Sequence, residues 1–238
     1  MIHIHMRNFS AVLLLTAFLC LISCSVVPPS PPPPPTPPEL SIVYNEPFPW
    51  LPITNLMGGN NSRLLRALVP RKKTLSAVPK PTLYWCVSDI PTKSMEMKIG
   101  LREYNSLKPV LIRSLPEPQY AGIHPFSVDI ALKPEVGYEW AVWFTKDTSD
   151  KSNPVFLYRP LSEELSKKLE QAKQVDPSKL PSIYAENGYW YDAVAALYQQ
   201  AQAGRCDSKD SKLRDQWRDL LKQQGLELPP ACGPCIKR

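Results

Sequence analysis

Histidine is nearly missing from this chain: three in 238 residues, and two of them, His3 and His5, stand in the first few positions. That leaves His124, in "AGIHPFS", as the one imidazole on which a Ser-His-Asp or Cys-His arrangement would have to be built. A histidine-rich zinc site is out of reach for the same reason. Glycine is scarce, with nine residues, and no phosphate-cradling loop stands out. "MGGNNS" (57–62) lacks the lysine and the strand–helix setting of a P-loop, and reads as a flexible connector. The formal charge of +6 is modest, and the longest basic run is Arg71-Lys72-Lys73. A nucleic-acid binder carries a denser basic stripe with aromatics between, so nucleic acid is not an expected partner. No acidic pair sits in apolar surroundings. These absences together leave no expected catalytic residue, metal or cofactor.

Proline, by contrast, is abundant at 28 residues, and it clusters in "PPSPPPPPTPP" (28–38). Such a run holds polyproline II geometry and spans on the order of 30 Å at about 3.1 Å per residue. It cannot pack a core, and it reads as a stiff stalk. Ahead of it, Arg7 and the uncharged apolar run 9–23 have the build of a secretory signal peptide, too short for a stable membrane span. The run ends in Leu21-Ile22-Ser23-Cys24, which resembles a bacterial lipobox. That resemblance makes Cys24 the lipidated first mature residue, and Ser25 after it leans toward the outer membrane. Several acyl chains on one cysteine give far firmer attachment than a single chain. The expected location is therefore exported and lipid-anchored, on the periplasmic side of the outer membrane.

Beyond the stalk the periodicity changes once. Residues 41–160 read as strands: 82–90, 95–104, 109–115, 126–132, 138–145 and 154–160, with Pro or Gly between them. In 95–104, Met95, Met97, Ile99 and Leu101 alternate with Glu96, Lys98 and Arg102. This pattern predicts an antiparallel β-sandwich of the fibronectin or immunoglobulin kind, with Trp85, Trp140 and Phe144 in its core. Trp143 falls on the opposite face of its strand from Trp140. From Leu161 to 228 the period is helical. Ser162 is placed to cap a first helix with Leu165, Leu169 and Ala172 on its apolar stripe. A second helix, opened by Pro177 and Pro181, stops at Gly188; a third runs to Gly204; a fourth carries Leu213, Trp217, Leu220 and Leu221 on one face and stops at Gly225. The fourth helix's charges, Lys212, Arg214, Asp215, Arg218, Asp219 and Lys222, read as a solvated face. The spacing Tyr184-Ala185-x-x-Gly188-x-Trp190-x-x-Ala193 resembles the middle of a tetratricopeptide repeat. The expected fold is thus α+β, a sandwich followed by a small tetratricopeptide-like helical unit, with 229–238 as a cysteine-containing tail.

Five stretches, "LLRALVP" (64–70), "PTLYWCV" (81–87), "LKPEVGYEWAVWF" (132–144), "YAENGYWYDAVAAL" (184–197) and "LRDQWRDLLKQQGLE" (213–227), resemble in order and spacing the bacterial domain of unknown function 928, many of whose members are cyanobacterial. The similarity covers roughly 63–230 and implies a β-sandwich followed by a short helical unit. It implies no reaction.

Trp143, Trp190 and Asp192 are the candidate binding residues. An exposed Trp143 would offer a face to stack on a ligand. Asp192, in "WYDAV", has aromatic neighbours that would desolvate it and raise its pKa, though a helix-capping role is the simpler one. The basic stretch Arg63, Arg66, Arg71, Lys72, Lys73 and Lys80 reads as solvated, or as facing an anionic surface. Once Cys20 and Cys24 are set aside, Cys86, Cys206, Cys232 and Cys235 remain, and four cysteines allow three pairings. Cys86 falls in a core strand and reads as a buried thiol, while Cys206 is placed to pair with Cys232 or Cys235. The tail holds Cys232-Gly233-Pro234-Cys235, the redox tetrapeptide of thioredoxins, but with two prolines before it and three residues after it. The helix that lowers a thioredoxin cysteine's pKa has no room to form there. The function expected is a lipid-anchored envelope protein that binds or scaffolds envelope protein partners without catalysis. The alternatives are a thiol–disulfide redox protein and an envelope carbohydrate binder.

Overall fold

The computed structural model describes residues 64–70, 73–91, 95–145, 154–202 and 211–233. The leader, Cys24, the proline stalk, Cys206 and Cys235 lie outside the described residues.

The fold is α+β, with eight strands followed by four helices among the described residues. β1 (Leu65–Ala67), β3 (Thr82–Val87) and β6 (Gly122–Ser127) form one sheet in the order β1-β3-β6. β2 (Thr74–Ser76), β4 (Met97–Glu103), β5 (Pro109–Leu115), β7 (Gly137–Phe144) and β8 (Val155–Tyr158) form the other, in the order β2-β8-β7-β4-β5. All pairings are antiparallel except β2 with β8, which run parallel and depart from the all-antiparallel expectation. The period-2 rule assigns the faces. Met97, Ile99 and Leu101 of β4 and Tyr138, Trp140, Val142 and Phe144 of β7 join Leu83, Trp85 and Val87 of the other sheet in one buried cluster.

The strand expected at 126–132 lies earlier, at Gly122–Ser127, with Pro125 inside it. Proline donates no ladder hydrogen bond, and it is tolerated here because β6 is an edge strand. His124 stands on this edge strand. It pairs with Trp85 in the ladder, stacks on Tyr120 with centroids 4.4 Å apart, and its Nε2 lies 3.0 Å from the Tyr120 carbonyl.

The helices are α1 (Glu163–Val175), α2 (Leu180–Glu186), α3 (Trp190–Gln200) and α4 (Ser211–Gln223). Ser162 caps α1 by accepting from the Leu165 N–H at 3.2 Å, and Leu165, Leu169 and Ala172 are its buried stripe. A short 3-10 turn, Pro177–Lys179, precedes α2. Gly188, at φ 79°, makes the reversal between α2 and α3, a backbone region that favours glycine. α4 ends in a Schellman-type cap: Gly225, at φ 65°, donates to the Lys222 carbonyl and Leu226 to that of Leu221.

α1 and α2 cover part of the five-stranded sheet's outer face. Leu165, Leu169, Ala172 and Ile183 bury themselves against Leu75 of β2, with Leu157 of β8 packed beside them. The outer face of β4, β5 and β7 remains uncovered among the described residues, with Ile112 exposed on it and Val110 exposed at the irregular start of β5. Among the described residues no helix is long and apolar enough to cross a membrane.

Candidate functional site

Each of the five residues from Gly188 to Asp192 makes a hydrogen bond to a strand, to a residue just past one, or to the chain leaving β8. The Gly188 carbonyl accepts from the Leu75 N–H at 3.2 Å. Tyr189 donates its hydroxyl to the Pro160 carbonyl at 3.3 Å. Trp190 Nε1 donates to the Leu68 carbonyl at 2.9 Å. Trp140 Nε1 donates to the Tyr191 hydroxyl at 2.9 Å. Asp192 Oδ2 accepts from the Ala77 N–H at 2.7 Å. Leu75 and Ala77 are two apart on and just past β2, so their N–H groups leave on the same side of that edge strand. Gly188 and Asp192 therefore occupy an edge that would otherwise invite another strand. The small side chains of Ala185 and Ala193, both fully buried, let α2 and α3 approach closely.

This placement gives two of the three candidate binding residues partners inside the fold. Trp190 has no exposed surface and spends its one donor inside the fold, so it is not placed to touch a ligand. Asp192 holds α3 to β2. It stands in the first turn of α3, where a carboxylate favours the helix dipole. Burial nevertheless pushes its carboxyl from the ordinary carboxylate range up to about 7, against the lowering effect of the Ala77 N–H and its own N–H. Burial raises the phenols of Tyr84, Tyr184 and Tyr189, that of Tyr184 to about 12, and the nearby Asp192 charge adds a smaller push to each.

A carboxyl whose folded pKa exceeds its unfolded one binds its extra proton in the folded state. The stability linked to Asp192 is thus greatest near pH 4 and falls as the pH rises toward about 7. Asp192→Asn keeps an oxygen for the Ala77 N–H and removes the titration. Its urea midpoint should exceed that of the parent above pH 7 and converge on it near pH 4. Identical pH profiles for the two proteins would contradict this role.

Trp143 has a different setting. It alternates with Trp140 and lies half-buried on the uncovered outer face. A Cβ on Gly100 would come within 3.1 Å of Trp143 Cη2 and 3.2 Å of Cζ3, so the missing side chain at Gly100 is what lets the ring lie across β4. Together with Ala141 and Ile112, these residues shape a cleft of ≈ 210 Å³, smaller than the usual pocket for a drug-sized ligand. At one end of it Arg102 donates from Nε to Glu139 Oε2 at 2.7 Å, an ion pair across neighbouring strands. β5 is the last strand of the sheet, and Pro109, Val110 and Ile112 along it are exposed. Farther along the strand, Arg113 blunts the edge by pairing with Asp129 at 2.8 Å and donating to the Ile112 carbonyl.

The cysteines pair differently from expectation. Cys232 is joined to Cys86, 146 residues away, with Cα atoms 5.6 Å apart. Cys86 is therefore not a thiol, and Cys232 is bonded neither to Cys206 nor across the Cys-Gly-Pro-Cys sequence. Both sulfurs' residues are buried, at 1% and 0% exposure. The short 3-10 turn Pro230–Cys232 rests against β3 and β6 as a result. Of the basic stretch, Arg66 donates from Nη1 to the Glu227 carbonyl, and the Lys73 ammonium sits 5.0 Å from the centre of the Tyr104 ring. Among the described residues no cluster of three His, Cys, Asp or Glu side chains is arranged to hold a metal ion.

The family model described as Domain of Unknown Function (DUF928) matches residues 57–230. A search of curated proteins finds no match.

Proposed function

The chain belongs to the Domain of Unknown Function (DUF928) family, and we propose that it acts as a non-catalytic binding module that holds a protein partner at the cell envelope. The observation that carries the proposal is the uncovered half of the five-stranded sheet. There a half-buried tryptophan, the exposed Ile112 and Val110, and the open start of edge strand β5 lie together. An extended partner segment would add to β5 by main-chain hydrogen bonds and set its side chains against Ile112 and Trp143. The two sheets act as a sandwich of immunoglobulin or fibronectin type, supported by the order β1-β3-β6 against β2-β8-β7-β4-β5. The α2–α3 hairpin is one tetratricopeptide-like unit whose apolar side is spent on the sheets, which favours the Trp143 face over the hairpin as the docking surface.

The envelope location rests on Leu21-Ile22-Ser23-Cys24 and the proline run. A disulfide between Cys86 and Cys232 supports it, since such bonds persist in oxidising compartments. The thiol–disulfide alternative loses support, because the Cys232 sulfur is engaged by Cys86. Carbohydrate binding remains the second role, favoured by one observation: Trp143 beside the Arg102–Glu139 pair offers an aromatic surface next to charged hydrogen-bonding groups.

Ile112→Arg and Trp143→Ala test both. Each should leave the urea midpoint nearly unchanged, within about 1 kcal/mol of the parent. Ile112→Arg should abolish co-purification of crosslinked envelope proteins. Retained capture by both variants would overturn the protein-binding role. Glycan binding that is lost with Trp143→Ala and kept with Ile112→Arg would favour the carbohydrate role.

A further inference from the structure

A second concavity lies far along the chain from Trp143, between α4 and the segment 226–233. We propose that this groove binds a small anionic amphiphile, a molecule with an apolar chain and a carboxylate or phosphate head. Its walls are apolar: Trp217 and Leu221 from α4, Leu226, Leu228 and Pro229 from the segment opposite. Its volume of ≈ 480 Å³ falls in the range of small-molecule sites.

Charge complementarity selects the ligand. Arg214, Arg218 and Lys222 are spaced by four residues, so they form one row along α4, and all three line the groove and are exposed. Glu227 is the one acidic residue of the lining. Asp215 pairs with Arg218 at 2.9 Å, while Asp219 stands on the same helix outside the lining. Arginine and lysine in such a row suit a carboxylate or phosphate. An acyl or similar chain below the row would meet the leucines and Trp217.

Two further observations point the same way. Trp217 is 3% exposed, and its indole N–H is buried with no acceptor among the described residues. Buried donors are almost always satisfied, and this unpaired one belongs to a side chain that lines the groove. The groove is also held open by covalent structure. Cys232 lines it and is tied to Cys86 of β3, while Arg66 of β1 holds the Glu227 carbonyl. A wall fixed before the ligand arrives lowers the ordering cost of binding.

Calorimetric titration of the full chain with dodecanoate and with dodecyl phosphate, both below their micelle concentrations, tests the proposal. Dodecyl maltoside supplies the chain without the charge, and acetate or inorganic phosphate the charge without the chain. At least one anionic amphiphile should bind at least about tenfold more tightly than the maltoside and than either small anion. Preference between the two amphiphiles identifies the head group. The triple variant Arg214→Gln, Arg218→Gln, Lys222→Gln, all exposed positions, should lose at least about tenfold in affinity. Leu226→Glu, which sets a carboxylate in the groove, should do the same. Equal binding of the maltoside, no binding of either amphiphile, or unchanged affinity in both variants would overturn the proposal. So would dodecanoate binding that appears only after residues 234–238 are removed, which would make the chain's own end the occupant.

Discussion

Replacing Cys86 and Cys232 together by alanine is expected to lower the unfolding free energy by roughly 4–5 kcal/mol, the upper range for a single disulfide. The bond closes a loop with a sequence separation of 146 residues. In the chain-entropy account the penalty on the unfolded state grows with the logarithm of that length, which puts this bond near the top of the scale. The loss has a local part too. Without the bond, the segment 226–233 is left to noncovalent contacts, among them those to β3 and β6, the Leu226 N–H bond to the Leu221 carbonyl and the Arg66 hydrogen bond. Urea denaturation of parent and variant measures the difference directly. A midpoint that does not move would mean that the two cysteines are not joined in the folded protein. A companion result follows from burial. Dithiothreitol should leave the bond intact in the native protein and reduce it quickly once urea exposes it, because exchange needs access of the attacking thiolate to sulfur.

The second large effect belongs to Trp190. Trp190→Ala should cost about 3–5 kcal/mol, the range for removing a fully buried aromatic side chain. The vacated space lies between α3 and the strands, and the Leu68 carbonyl loses its indole partner. Trp190→Phe restores most of the volume without the N–H. It should recover much of the loss and leave a deficit of about 1–3 kcal/mol for the unsatisfied buried acceptor. Trp143→Ala, by contrast, should cost about 1 kcal/mol or less, since the ring lies over an outer face. Equal costs at the two tryptophans would show that the distinction between a structural and a surface tryptophan is mistaken.

Much of this architecture was legible from periodicity. The alternation Met97, Ile99, Leu101 placed those side chains inward, and the i, i+4, i+7 spacing of Leu165, Leu169 and Ala172 marked the buried stripe of α1. Trp140 and Trp143 fell on opposite faces as their separation requires. What escaped depends on partners distant in sequence. β1 and β2 are only three residues long, and what makes them strands is pairing with Trp85–Val87 and Phe156–Tyr158. No local pattern of three residues announces that. β6 was shifted because Pro125 reads locally as a boundary, and only its position at a sheet edge makes it admissible within a strand.

The candidate site divides in the same way. That Asp192 would be desolvated by its aromatic neighbours followed from "WYDAV", and so did its place at a helix start. Its bond to the Ala77 N–H, 115 residues away, did not. Trp190 offered no local sign of burial: an aromatic two residues past a glycine reversal reads equally as anchor or as surface. The Cys86–Cys232 pair was missed: a cysteine in a core strand reads as a buried thiol, and nothing local points from the tail to a strand 146 residues away. The charged side of α4 is solvated, as its periodicity predicts, but periodicity is blind to the segment folded beside it.

Site-specific photocrosslinking tests the central claim most directly, because it asks which exposed apolar residue meets a partner. A photoreactive side chain is placed in turn at Ile112, 50% exposed on the Trp143 face, and at Val175, 77% exposed at the end of α1. Exposure alone would favour Val175. Irradiation of intact cells should yield a discrete crosslinked protein from position 112 and none from position 175. A crosslink from 175 with none from 112 would contradict the assignment of the β4–β5–β7 face as the docking surface.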